Sequence, residues 1–176
     1  MVGIWGLSLR NLARTLGLIA SLISPSAALS QEGGLITLTL NGDQLELPLS
    51  AGHSDWIGSR GFAEVSIMTR PTDVQSWQHF QSLRLAFDLL RTGAQSPEMS
   101  ILRRSDDAGF QRWYSRSDNG ALSVAITGRD LDGKQLQITG TFSGTLGISE
   151  DFGRTIDLSD PMPVTGTFDV TLHPIQ

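Results

Sequence analysis

Apolar and polar residues alternate one for one along most of this chain. Leu35-Ile36-Thr37-Leu38-Thr39-Leu40 leads through Asn41-Gly42 into Asp43-Gln44-Leu45-Glu46-Leu47-Pro48-Leu49. A period of two sends alternate side chains to opposite faces, the pattern of a β-strand with one face on a core. Asn-Gly between two such runs predicts a hairpin, because both central residues of a type I′ turn need positive φ. Pro48 has no N–H to give a ladder, so its strand is expected at a sheet edge. Gly52, Gly58 and Gly61 then read as a loop. Phe62–Thr69 alternates Ala63, Val65 and Ile67 against Glu64 and Ser66, and Pro71 ends it.

Residues 73–91 fit two periods. Val74, Trp77, Phe80, Leu83, Phe87 and Leu90 make a helical stripe behind a possible N-cap, Asp73. Leu83, Leu85, Phe87 and Leu89, however, alternate strictly with Ser82, Arg84, Ala86 and Asp88. The stricter pattern predicts a strand over 80–90, with 73–78 a loop or one helical turn. Strands near Glu98–Arg104 and Phe110–Arg116 flank a turn at Ser105–Gly109. Leu122–Ile126, Lys134–Ile148 and Val164–Leu172 follow.

The last two of these contain near-copies. Thr139-Gly140-Thr141-Phe142-Ser143-Gly144-Thr145-Leu146 returns as Thr165-Gly166-Thr167-Phe168-Asp169-Val170-Thr171-Leu172, with six of eight positions identical. Both copies alternate, so they predict two long, similar antiparallel strands with Phe142 and Phe168 at equivalent core positions. Gly140 and Gly144 interrupt the apolar face, and glycine there marks a bend or a close backbone approach. About nine short strands with turn signals and almost no helix predict an all-β fold, an antiparallel β-sandwich. A closed antiparallel β-barrel with a ligand cavity shares the same one-faced alternation and is the alternative.

The first thirty residues break the pattern. Arg10 and Arg14 are their only charges, and Leu16–Ile23 is an apolar run followed by Pro25 and small residues through Ala28 and Ser30. This predicts a secretory signal peptide over 1–30 and a single all-β domain over 31–176. The apolar run is too short to span a bilayer, which takes about 20 residues. Removing the segment takes away two positive charges and no negative one, moving the formal charge from −5 to −7. So acidic a protein is repelled by nucleic acid and anionic membrane surfaces. The absence of cysteine excludes a disulfide framework and thiol chemistry. The expected location is exported, periplasmic or extracellular, with no membrane span after signal removal.

Candidate chemistry is sparse. Gly52-His53-Ser54-Asp55 begins like a nucleophile elbow, but Trp56 stands where the second glycine belongs and no strand-to-helix context surrounds it. His79 and His173 lack the spaced partners that zinc or a general base requires. Asp130-Leu131-Asp132-Gly133 is turn chemistry. Glu150, Asp151, Asp157 and Asp160 make an acidic loop without the ligand spacing of a calcium site. Neither a metal nor a cofactor is expected.

Arg112, Trp113, Tyr114 and Arg116, with Arg103 and Arg104 nearby, are the only basic and aromatic concentration and so the candidate binding residues. Aromatic rings beside arginines can hold a sugar, a carboxylate or an anionic polymer. Equally, the arginines can pair across strands with Asp88 or Glu98. A threonine-rich outer face, including Thr37, Thr39, Thr141, Thr165 and Thr167, suits the wet side of a sheet. The expectation is an exported non-catalytic binding or accessory module for a protein, glycan or small-molecule ligand. A barrel-like carrier of a small apolar molecule and a hydrolase whose residues converge only in space are the alternatives.

Overall fold

The computed structural model describes residues 33–71, 81–105 and 109–175. Its ten strands are β1 (Gly34–Leu40), β2 (Asp43–Pro48), β3 (Asp55–Ser59), β4 (Phe62–Thr69), β5 (Ser82–Leu90), β6 (Gly93–Ser105), β7 (Gly109–Arg116), β8 (Ser123–Asp132), β9 (Gln135–Ile148) and β10 (Asp157–Pro174). Hydrogen bonding joins all ten in one mixed sheet, in the order β2-β1-β10-β3-β4-β5-β6-β7-β9-β8 with β10 also paired to β9. The sheet folds over so that β2-β1-β10-β9-β8 forms one layer and the meander β3-β4-β5-β6-β7 the other. Short ladders stitch the layers at two corners. His173 and Pro174 of β10 run parallel to Asp55 and Trp56, and Trp113 and Tyr114 of β7 meet Ile148 and Gly147. All other strand pairs are antiparallel, and the fold is a β-sandwich.

Between the layers the inward positions form one core. Ile36, Leu38, Ile67, Leu83, Leu85, Leu89, Met99, Ile101, Leu136, Ile138 and Leu146 are fully buried. Phe168 of β10 meets Phe87 of β5 across the gap, ring centroids 6.1 Å apart. At one end Arg129 of β8 clasps the opposite layer, donating from Nη2 to Arg60 O at 2.8 Å and from Nη1 to Leu90 O at 3.4 Å.

Asn41 and Gly42 both take positive φ, 50° and 92°, as the hairpin turn requires. β2, with Pro48, is an edge strand. The two repeat strands lie side by side, with Thr141 opposite Thr167 at the centre of a pseudo-two-fold. That register sets Gly140 against Phe168 and Gly166 against Phe142. Each phenylalanine ring therefore lies over the glycine of the other copy, and a Cβ on either glycine would strike the ring tip. Close approach is the reason for these glycines.

The sequence expectation differs from the structure in four places, one of them β10, which starts at Asp157 rather than Val164 and so takes Asp157 and Asp160 out of the expected acidic loop. The glycine-rich stretch after Pro48 is not all loop: Ala51–His53 make a 3₁₀ turn and Asp55–Ser59 form β3, which raises the strand number to ten. Tertiary contacts hold this strand, since Trp56 is buried and its Nε1–H donates to Lys134 O at 3.3 Å. β8 continues past Ile126 to Asp132 through a bulge between Ile126 and Gly128. β6 begins at Gly93, five residues early, because a second bulge at Ser96 and Pro97 lets the pairing with β5 resume. The alternative helical turn at 73–78 lies outside the described residues. Among the described residues no helix is long and apolar enough to cross a membrane.

Candidate functional site

The outer face of the β3–β6 meander is concave, and its side chains explain why. Antiparallel register lines up Asp55, Ser66, Ala86 and Glu98 in one row, and Ile57, Glu64 and Asp88 in the next. Ser66 and Ala86 are short and make the floor. Longer side chains surround them: Asp55, Glu64, Asp88, Glu98 and Arg84, with Ile57 and Ile175 beside them. The result is an open groove of about 490 Å³. Ser96, at φ 50°, begins the bulge that shapes its far wall.

Four carboxylates line this groove against one guanidinium. Arg84 is committed on two sides, with Nε donating to Ser66 Oγ at 3.2 Å and Nη1 lying 3.6 Å from Glu98 Oε1. So exposed an ion pair contributes little stability. The remaining carboxylates give the groove a negative potential, and concave walls focus such a field. Chemically, the groove suits a cationic group carried on an apolar body.

The sequence candidates are dispersed around a single strand. Trp113 points into the core, and Tyr114, on the opposite face, is buried under Gly153 of the β9–β10 loop. Arg112 is exposed and lies over the ring of Phe152, 4.7 Å from its centroid. Arg116 sits opposite Glu98 in register, but its Nε is 3.5 Å from Asp118 Oδ1, and Glu98 faces Arg84 instead. The two aromatic rings expected to stack on a ligand are both buried.

The elbow-like stretch is engaged locally. Ser54 is buried and bridges Met68 backbone, donating to its carbonyl at 3.1 Å and accepting from its N–H at 2.9 Å. His53 is exposed, with Nδ1 3.1 Å from Ser50 Oγ. His173 is exposed on β10, and His79 lies outside the described residues.

The acidic stretch, a loop that runs into β10 at Asp157, is likewise a scaffold. Asp151 Oδ1 accepts from Thr155 N–H and from Ser149 Oγ–H, both at 2.9 Å, while Ser149 Oγ accepts from Gly153 N–H. Asp157 Oδ1 accepts from Ser159 N–H at 2.8 Å. Backbone donation from Thr155 holds the Asp151 carboxyl below its ordinary value, and donation from Ser159 does the same for Asp157. Glu150, Asp151 and Asp157 line a second cavity of about 360 Å³. Among the described residues no group of three His, Asp or Glu side chains converges as metal ligands do.

A lowered folded-state value adds stability above the ordinary carboxylate value of 3.8, and that stability is lost as pH falls through the folded value. Asp151→Asn should therefore flatten the acid limb of the stability profile. Urea midpoints measured from about pH 5 to 2 should fall less steeply in the variant than in the parent. Parallel profiles would remove Asp151 from the account of acid sensitivity.

No protein-family model matches the chain, and no curated protein matches its sequence.

Proposed function

We propose that the protein is exported and acts as a non-catalytic binding module whose contact surface is the groove on the outer face of β3–β6. The groove carries the reading: a concave, net-acidic sheet face with small floor residues and an aliphatic rim. The signal-like character of residues 1–30 supports export. Local engagement of Ser54 and His53 supports a binding role over a hydrolytic one. The ligand is a group that pairs a positive charge with an apolar face, because both halves of the groove lining then find partners.

The test uses protein recovered outside the cytoplasm of an exporting host. Intact mass should place the mature N-terminus after residue 28 or 30; an intact Met1 on the exported protein would overturn the signal reading. Phenylalanyl-arginine amide is then titrated while backbone amide shifts are followed. Shifts should concentrate at Glu64, Ser66, Ala86, Asp88 and Glu98, with affinity on the order of 1 mM, and Glu64→Gln with Asp88→Asn should weaken it severalfold. Absent shifts, or shifts away from the groove, would overturn the assignment.

A further inference from the structure

Among the described residues five large apolar side chains are exposed, and they fall into two patches. Ile57 (50%), Phe62 (43%) and Ile175 (55%) lie in or beside the acidic groove. Phe110 (54%) and Phe152 (69%) lie at the other end of the same sheet face, with Arg112 on the Phe152 ring and Arg104 opposite Phe110 in register. One patch is aliphatic and acidic; the other is aromatic, with Arg104 and Arg112 beside Glu150 and Asp151 of the loop that carries Phe152. Exposed apolar groups confined in this way mark interaction surfaces.

Glu98 and Arg104 both project from the outer face of β6, six residues apart. At about 3.3 Å per residue the patches are therefore roughly 20 Å apart on a rigid sheet. No molecule can seat its own Arg112–Phe152 pair in its own groove. A second copy can, and a two-fold axis lying in the plane between two such faces seats both patches at once.

We propose that the occupant of the groove is a second copy of this chain. Two molecules pack their β3–β7 faces together end for end, each placing the Arg112–Phe152 pair and Phe110 of one against the carboxylates and isoleucines of the other. This rests on the groove being the contact surface and names its partner. Pairing Arg104 and Arg112 with the groove carboxylates sets the orientation, since parallel faces would set the four groove carboxylates against their own copies. Closed two-fold dimers are the commonest symmetric assembly. A five-stranded face spans about 20 Å at 4.8 Å between strands. The area is of the order of 600 Å² per partner, the size of a weak, reversible contact.

Sedimentation equilibrium of the exported protein should show a monomer–dimer equilibrium, with dissociation strengthened by salt. The groove variant Glu64→Lys/Asp88→Lys and the patch variant Arg104→Glu/Arg112→Glu should each be monomeric alone. Mixed one to one they should regain a dimer, because the mixed pair restores one native contact and makes one reversed contact. Recovery on mixing also shows that both variants are folded. A parent protein that stays monomeric up to about 1 mM, or variants that dimerise as the parent does, would overturn the proposal. So would variants that stay monomeric on mixing, each with the parent's urea midpoint. If the dipeptide amide still shifts the groove amides of a monomeric parent, the groove stands as a binding site and only the second copy is lost.

Discussion

Phe168→Ala should lower the free energy of unfolding by about 3–5 kcal/mol, the usual range for truncating a core phenylalanine. The ring is buried, packs against Phe87 of the opposite layer and covers Gly140 of the neighbouring strand. Its removal therefore empties a space bounded by both sheets, and β-sheet backbone on either side cannot collapse into it cheaply. Thr167, one residue earlier, is exposed between Thr37 and Thr141 on the outer face. Thr167→Ala should cost only about 0.2–1 kcal/mol, the scale of cross-strand pairing. Urea melts with matched m-values measure both. Equal losses would mean that the strand sits one residue out of register, because such a slip exchanges the two faces completely.

How much of this was legible in sequence depended on how local the cause was. The Asn41-Gly42 turn, the edge position of Pro48 and the alternation of the repeat strands follow from adjacent residues, and the structure has them all. β3 was hidden because its five residues carry little alternation and include Gly58 at φ 138°. What makes it a strand is Trp56 seated in the core and bonded to Lys134, 78 positions away.

The groove was hidden for the same reason. Ser66 and Ala86 are unremarkable residues until β4 and β5 set them side by side, and Asp55, Glu64, Asp88 and Glu98 come from four strands. The alternation in β7 did separate Trp113 from Arg112, Tyr114 and Arg116. Nothing in it announced that the loop after β9 would cover Tyr114 and bring Phe152 under Arg112. Sequence periodicity reports which face a residue takes. It is silent on which neighbours share that face.

The repeat glycines join both kinds of information, and they make the sharpest test of the fold. Gly140 occupies an inward position where alternation asks for an apolar side chain, yet the space its Cβ would fill already holds the tip of Phe168 and Ala125 O. Gly140→Ala should therefore destabilise by about 1–3 kcal/mol, the cost of overpacking a filled core, although alanine is a better strand residue than glycine by propensity. The ring tip is the part of the obstruction that a second substitution can remove. Phe168→Leu ends short of Cζ, so the loss it causes should be smaller in the Gly140→Ala background than in the parent. The two changes should couple by at least about 0.5 kcal/mol, as residues in direct contact do. By the pseudo-two-fold, Gly166→Ala with Phe142→Leu should couple in the same sense, since Gly166 meets the Phe142 ring and Thr37 O. Additive losses in both pairs would mean that the rings do not lie over the glycines. The duplicated Thr-Gly-Thr-Phe would then have to be explained by something other than two strands that each leave room for the other's phenylalanine.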